Sequence, residues 1–212
     1  MHTIKNPLLS MPSAWCLNQA LHKASEETIP LISAFQAAQG REQLPKTPVF
    51  RMAKQVFPNV WRIPLFRRQW CSMIVEELQG MTRQDPRAPI VLRDEVPELA
   101  ERIFFLSQSV LQSVLFSLIQ RECKHVVSAH ITQSVPGAPE AWRHQGSAEM
   151  VVSVPLNAGY EGGGVAFHQH GSLKSLPAGH ALIWPAFPHS YRFEPVSSGR
   201  RWMLHIWLTD RV

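Results

Sequence analysis

Three things are scarce or missing in this 212-residue chain, and each absence excludes a class of function. Cysteine is the first. Cys16, Cys71 and Cys123 are odd in number, far apart and form no Cys-x-x-Cys pair. Neither a disulfide framework nor a zinc knuckle is indicated, and reduced thiols are expected. Runs of one charge are the second. The formal charge of +5 comes from scattered lysines and arginines, densest at Arg62, Arg67, Arg68 and again at Arg200, Arg201, with no basic tail. A solvated basic surface is expected rather than a nucleic-acid face, while an anionic small molecule stays open as a partner. Long apolar runs are the third. Nowhere do about 18 apolar residues follow one another, and the first fifteen residues lack the basic-then-apolar order of a secretory signal. A cytoplasmic protein with no membrane partner is the expectation.

What is present suits one domain. The hydrophobic fraction is 45%, enough for one sizeable core. The chain's 17 prolines and 11 glycines are spread along it, which points to many short elements joined by turns. Ser25 with Glu26 and Glu27 predicts a capped helix start, placing Pro30 in its first turns. Residues 57 to 65 read as a short strand interrupted by prolines, 66 to 79 as an amphipathic helix closed by Gly80, and 81 to 93 as a loop. Apolar residues from 95 to 122 recur at helical spacing and predict one long helix.

The pattern then changes. Short apolar stretches at 126–131, 150–156, 165–170, 181–185, 189–193 and 201–208 alternate with Gly/Pro turns. Helices first and strands afterwards predict an α+β domain over 1–212, with 1–122 mostly helical support and 123–212 the β core. The core is expected to roll up as a double-stranded β-helix, jelly-roll or cupin-like, braced by the N-terminal helices.

The residues that could carry chemistry lie from Trp142 onward. They are His144 in His-x-Gly, Leu156-Asn157, Glu161-Gly162-Gly163-Gly164 leading to Phe167, Pro177-Ala178-Gly179, His189, Pro195-Val196 and Gly199-Arg200-Arg201. In that order they resemble the catalytic core of the prolyl and lysyl hydroxylase branch of iron(II)/2-oxoglutarate oxygenases, over roughly residues 126 to 208. The resemblance implies iron(II) on His144 and His189, leaving open positions for a bidentate 2-oxo acid and for O2. It also implies that Arg201 of Gly-x-Arg holds the distal carboxylate of 2-oxoglutarate, where a planar guanidinium suits a carboxylate. A one-residue slip of that strand would give the task to Arg200.

The sequence departs from the family at one place. Gly146 stands where the metal-binding carboxylate is expected. A glycine there shifts the resemblance toward the iron/2-oxoglutarate halogenases, in which chloride binds the vacant position and is transferred to an unactivated aliphatic carbon. Alternatives are an atypical hydroxylase with water or Glu149 in that position, and an inactive β-barrel that only binds. Two-residue alternation from His144 turns Glu149 away from the metal. His168 and His170 form a His-x-His that, on a strand, could begin a cupin-like metal site of its own. Trp142, Phe167, Trp184, Met203 and Trp207 are available to line the barrel, and His130 and Gln133 precede His144 as polar groups near the 2-oxo acid. A small-molecule substrate is expected, and no motif names it.

Overall fold

The computed structural model describes residues 3–5, 12–38, 46–83, 85, 88–138 and 141–211. In chain order the helices α1 (Ser13–Cys16), α2 (Gln19–Ala37) and α3 (Pro48–Met52) are followed by a hairpin of β1 (Lys54–Phe57) and β2 (Val60–Pro64). Next come α4 (Arg68–Gln79), β3 (Ile90–Val91), α5 (Leu92–Glu95), α6 (Pro97–Leu106), a π turn (Ser107–Leu111) and α7 (Gln112–Ile119). The strands β4 (His125–Ser134), β5 (Met150–Pro155), β6 (Glu161–Gly162), β7 (Val165–Phe167) and β8 (Gly171–Leu173) follow. The last four are β9 (His180–Pro185), β10 (Tyr191–Phe193), β11 (Val196–Ser198) and β12 (Arg201–Thr209).

Alternation along β12 separates two cores. Trp202, Leu204, Ile206 and Leu208 face one way and join the larger cluster, which includes helical residues such as Leu21, Trp70, Ile74, Leu99, Ile103 and Val114. Met203 faces the other way and joins Val151, Leu182 and Trp184 of the same sheet with Phe167, Tyr191 and Phe193 of a second one. Both faces of β12 are covered, which is why its sequence is apolar almost without interruption. The large sheet is antiparallel with order β1-β2-β9-β5-β12-β4-β3, and the facing sheet has order β10-β7-β8, extended by a bridge between Arg143 and Tyr191. These two layers enclose the smaller core as a double-stranded β-helix, with the helices packed on the outside of the large sheet.

Four expectations are corrected. The β1–β2 hairpin lies within the nominally helical half but extends the large sheet by pairing with β9, Trp61 opposite Ile183. Helix α2 begins at Asn18 rather than Ser25, because the Asn18 side chain accepts hydrogen bonds from the backbone N–H groups of Ala20 and Leu21. Ser25 is buried instead, its Oγ 2.6 Å from Ser113 Oγ, so Pro30 sits well inside the helix. The segment 81–93 is not wholly a loop, since it carries β3 and the start of α5; residues 84, 86 and 87 lie outside the described residues. The long helix from 95 to 122 is divided, with Val96 between α5 and α6 and the π turn between α6 and α7. By length and composition Pro97–Ile119 could cross a membrane; in this fold one side of it forms the floor beneath the large sheet. Of the first fifteen residues, only 3–5 and 12–15 are described.

Candidate active site inside the barrel

Arg201 opens β12 opposite Ser134 of β4 and points into the barrel, 1% exposed. Its Nη2 donates to Ser134 Oγ and its Nη1 to the Gly163 carbonyl, both at 2.8 Å, and the guanidinium lies 4.9 Å from the centre of the Phe193 ring. Two features of the sequence bring this about. The first is the glycine run. Gly163 has φ +64°, and a Cβ there would sit 3.2 Å from Arg201 Cδ and Nη1, so the close approach of the guanidinium needs glycine. The second is the Leu156-Asn157 turn. Asn157 Nδ2 donates to the Arg200 carbonyl at 2.7 Å while its Oδ1 accepts from Trp202 N–H at 2.8 Å. This clamp sets the register of the strand start, leaving Arg200 exposed and Arg201 inside.

Further along the inward side of β12, a polar layer crosses the barrel. The His205 ring is 2.8 Å through Nδ1 from Ser153 Oγ and 3.0 Å through Nε2 from Thr132 Oγ1. It stacks on His130 with centroids 5.0 Å apart and meets Phe193 at 5.2 Å. Burial, followed by the charges of His130, Arg201 and Arg143, holds His205 well below the usual histidine range. Burial and then Arg143 push His130 down to about 4. Both rings are neutral at neutral pH. By sequence His205 is not separable from an ordinary core imidazole; the signal that finds it is its place four residues, two strand alternations, beyond Arg201.

At the mouth, His189 precedes β10 and is buried. Its ring meets the His170 ring edge-on, centroids 5.2 Å apart at 77°, and Phe167 at 5.9 Å. Its Nε2 is 3.4 Å from the Pro58 carbonyl, and its buried Nδ1 has no hydrogen-bond partner. Burial and then the His170 charge lower its pKa. His168 and His170 are not on a strand; they occupy the turn between β7 and β8, which puts His168 out in solvent and His170 inward. That correction has a local cause, the turn closed by His170 N–H on the Phe167 carbonyl.

His144 follows the Arg143–Tyr191 bridge but is exposed, and its ring neighbour is Phe187 at 6.1 Å. Gly146 faces open space, with no atom within 4 Å of where a Cβ would stand. It borders a cleft of about 660 Å³ lined also by Arg121, Met150, Phe187 and Thr209. Glu149 is turned toward the chain end, 3.3 Å from Arg211 Nε and accepting from Asp210 N–H at 3.4 Å. Among the described residues no three His, Cys, Asp or Glu side chains come close enough together to hold one metal ion. Phe167, Trp184 and Met203 line the barrel and Trp207 partly so. Trp142 does not: it is 45% exposed, beside His168 at 5.6 Å and under Arg192.

No protein-family model and no curated protein sequence matches the chain. Solved structures do. A prolyl 4-hydroxylase from Phytophthora capsici superposes with a TM-score of 0.59 at 17% identity, covering 90% of this chain, which spans 64% of that one. The viral collagen prolyl hydroxylase of Paramecium bursaria chlorella virus-1 gives 0.51 at 12% identity, covering 72% of this chain and 90% of the other. The non-haem alpha-ketoglutarate-dependent carbocyclase of nogalamycin biosynthesis gives 0.52 at 9% identity, over 80% and 85% of the two chains. The chain has the fold of the 2-oxoglutarate/iron(II) oxygenases.

In this oxygenase fold, the mouth residues suit a divalent metal in donor type, since His170 Nε2 and His189 Nδ1 are both buried ring nitrogens without a partner. At the start of β12 the Arg201 guanidinium suits the distal carboxylate of a 2-oxo acid in chemistry. The void bordered by Ser153, Gly163, Phe193 and Met203 measures about 20 Å³, space for a single water. With the side chains so placed, Phe193 occupies the position beneath the guanidinium.

Proposed function

We propose that the chain is an iron(II)/2-oxoglutarate-dependent oxidoreductase acting on an unactivated aliphatic carbon of a small molecule. The observation that carries the reading is Arg201: a guanidinium 1% exposed, aimed into the barrel against Ser134, the Gly163 carbonyl and the Phe193 ring, has the planar donor set that suits the carboxylate of a 2-oxo acid. His189 anchors the metal at the other end, with one further imidazole from the mouth, for which the resemblance names His144. Iron(II) with a 2-oxo acid, when bound, activates dioxygen. The chain's own residues then have separate tasks. Arg201 holds the distal carboxylate with Phe193 turned aside, His130 and His205 form a neutral wall, and Trp184, Phe167 and Tyr191 exclude water. Within this class the resemblance of His144-x-Gly146 to the halogenases favours halogenation over hydroxylation, and Gly146 itself faces open space.

One observation favours a second reading. Among the described residues no three potential ligand side chains come together to hold a metal ion, which fits a β-barrel that keeps the fold and binds without turning over. Anaerobic titration with iron(II) and 2-oxoglutarate separates the two. A visible charge-transfer band that shifts with chloride supports the halogenase, and a band indifferent to chloride supports a hydroxylase. Absence of any band, with no succinate formed in air, would leave the binding module.

A further inference from the structure

We propose that His170, on the turn between β7 and β8, is the second imidazole of the metal site and shares the ion with His189 in place of His144. This rests on the reading of His189 as the metal anchor and specifies its partner.

The two rings stand at the separation that two ligands of one ion would hold. With a metal–nitrogen bond of about 2.1 Å and about 1.1 Å from ring nitrogen to ring centre, the observed 5.2 Å between centroids would give about 110° between the two bonds of an ion that both nitrogens face. Each ring carries a buried nitrogen that makes no hydrogen bond, Nε2 on His170 and Nδ1 on His189. Leaving a buried nitrogen unpaired on each of two adjacent rings is costly unless a bound group supplies the missing partner. The remaining ring nitrogen of His189 has only the 3.4 Å approach to the Pro58 carbonyl, the orienting contact that a ligating histidine characteristically makes with its other nitrogen.

Both imidazoles are held by the frame. His168 N–H donates to the Ser190 carbonyl at 3.0 Å, tying the turn to the residue after His189. Phe57 stacks on His170 at 5.7 Å and 18°. His144, by contrast, is solvent-exposed and has no ring contact with either. The ligand class is a divalent first-row transition ion, for which imidazole is a suitable donor. Two protein nitrogens leave the other coordination positions to exogenous ligands.

Cobalt(II) serves as the probe. Its affinity for the full chain, read by calorimetry and by its visible absorption, is expected to fall at least ~100-fold in His170→Ala and in His189→Ala, and to change less than about threefold in His144→Ala. In the unaltered chain, zinc(II) is expected to shift the imidazole ¹⁵N resonances of His170 and His189 and not those of His144, a measurement that does not depend on a variant folding. Loss of cobalt binding in His144→Ala and His189→Ala with His170→Ala unaffected would overturn the assignment while leaving the iron-site reading intact. Failure of the unaltered chain to bind cobalt(II) at all would overturn both.

Discussion

Replacing Arg201 by methionine should separate stability from co-substrate binding. The guanidinium's hydrogen bonds include those to Ser134 Oγ and the Gly163 carbonyl, both at 2.8 Å, and it lies over Phe193. Hydrogen bonds to a charged group contribute about 1.5–3 kcal/mol each, and a desolvated cation–π contact about 2 kcal/mol. Against these stands the desolvation of a buried charge, several kcal/mol, which a methionine of similar length removes. The opposing effects nearly cancel, so the urea midpoint, followed by fluorescence of the buried Trp184 and Trp202, should move by less than about 1 M for a net change within about 2 kcal/mol. Binding has no such compensation. Losing the partner of a buried carboxylate costs about 2–5 kcal/mol, a fall in 2-oxoglutarate affinity of roughly 30- to several thousand-fold. At a ligand concentration of about 100 Kd the unaltered protein gains about 2.7 kcal/mol from 2-oxoglutarate, and the variant should gain almost none. An equal gain in Arg201→Met would refute the role given to this residue.

Acid should destabilise the protein through the histidine layer. His130 titrates near 6.5 when unfolded and about 4 when folded, and His205 is shifted the same way. The unfolded chain therefore binds more protons in that window, and stability present above pH 6.5 is lost as pH falls toward 4, by up to about 1.4 kcal/mol per unit per histidine; urea midpoints that are flat from pH 7 to 5 would contradict it. Gly146→Asp meets no atom within 4 Å, so thermal stability should be unchanged; loss of a chloride response of the iron chelate in this variant would support the halogenase reading with His144 at the metal, and an unchanged response would count against it. Gly163→Ala, at φ +64° and against Arg201, should cost about 1–2 kcal/mol and weaken 2-oxoglutarate binding as well, whereas Gly137→Ala, equally left-handed but in open space, should lower stability alone. Asn157→Ala removes both halves of the clamp on β12 and should reduce 2-oxoglutarate affinity about tenfold without abolishing it, measurable by the same thermal shift.

Local chemistry was enough to read much of this architecture from the residues in order. Two-residue alternation in RWMLHIWL marks a strand with two buried faces, the Leu-Asn turn and the glycine run mark where the chain must bend or be approached closely, and helical spacing marks the supporting layer. These are properties of a residue and its near neighbours, so they survive without coordinates. The start of α2 is not legible locally, because the cap residue, Asn18, lies outside the acidic stretch and a buried serine pair between Ser25 and Ser113, 88 positions apart, leaves no local trace.

What only the tertiary structure decided is which of two equivalent residues faces inward and which side chains meet. Alternation says that Arg200 and Arg201 point oppositely; the Asn157 clamp, whose two hydrogen bonds span 43 and 45 positions, says which enters the barrel. Spacing picks out several histidines; pairing of β7 with β10 brings His170 rather than His144 against His189. Even the ring that covers the Arg201 guanidinium, Phe193, comes from the facing sheet. By itself the sequence determines the periods and the donor types, because those belong to the chain locally. The site is decided by register and by contacts between distant segments, which exist only once the sheets have closed.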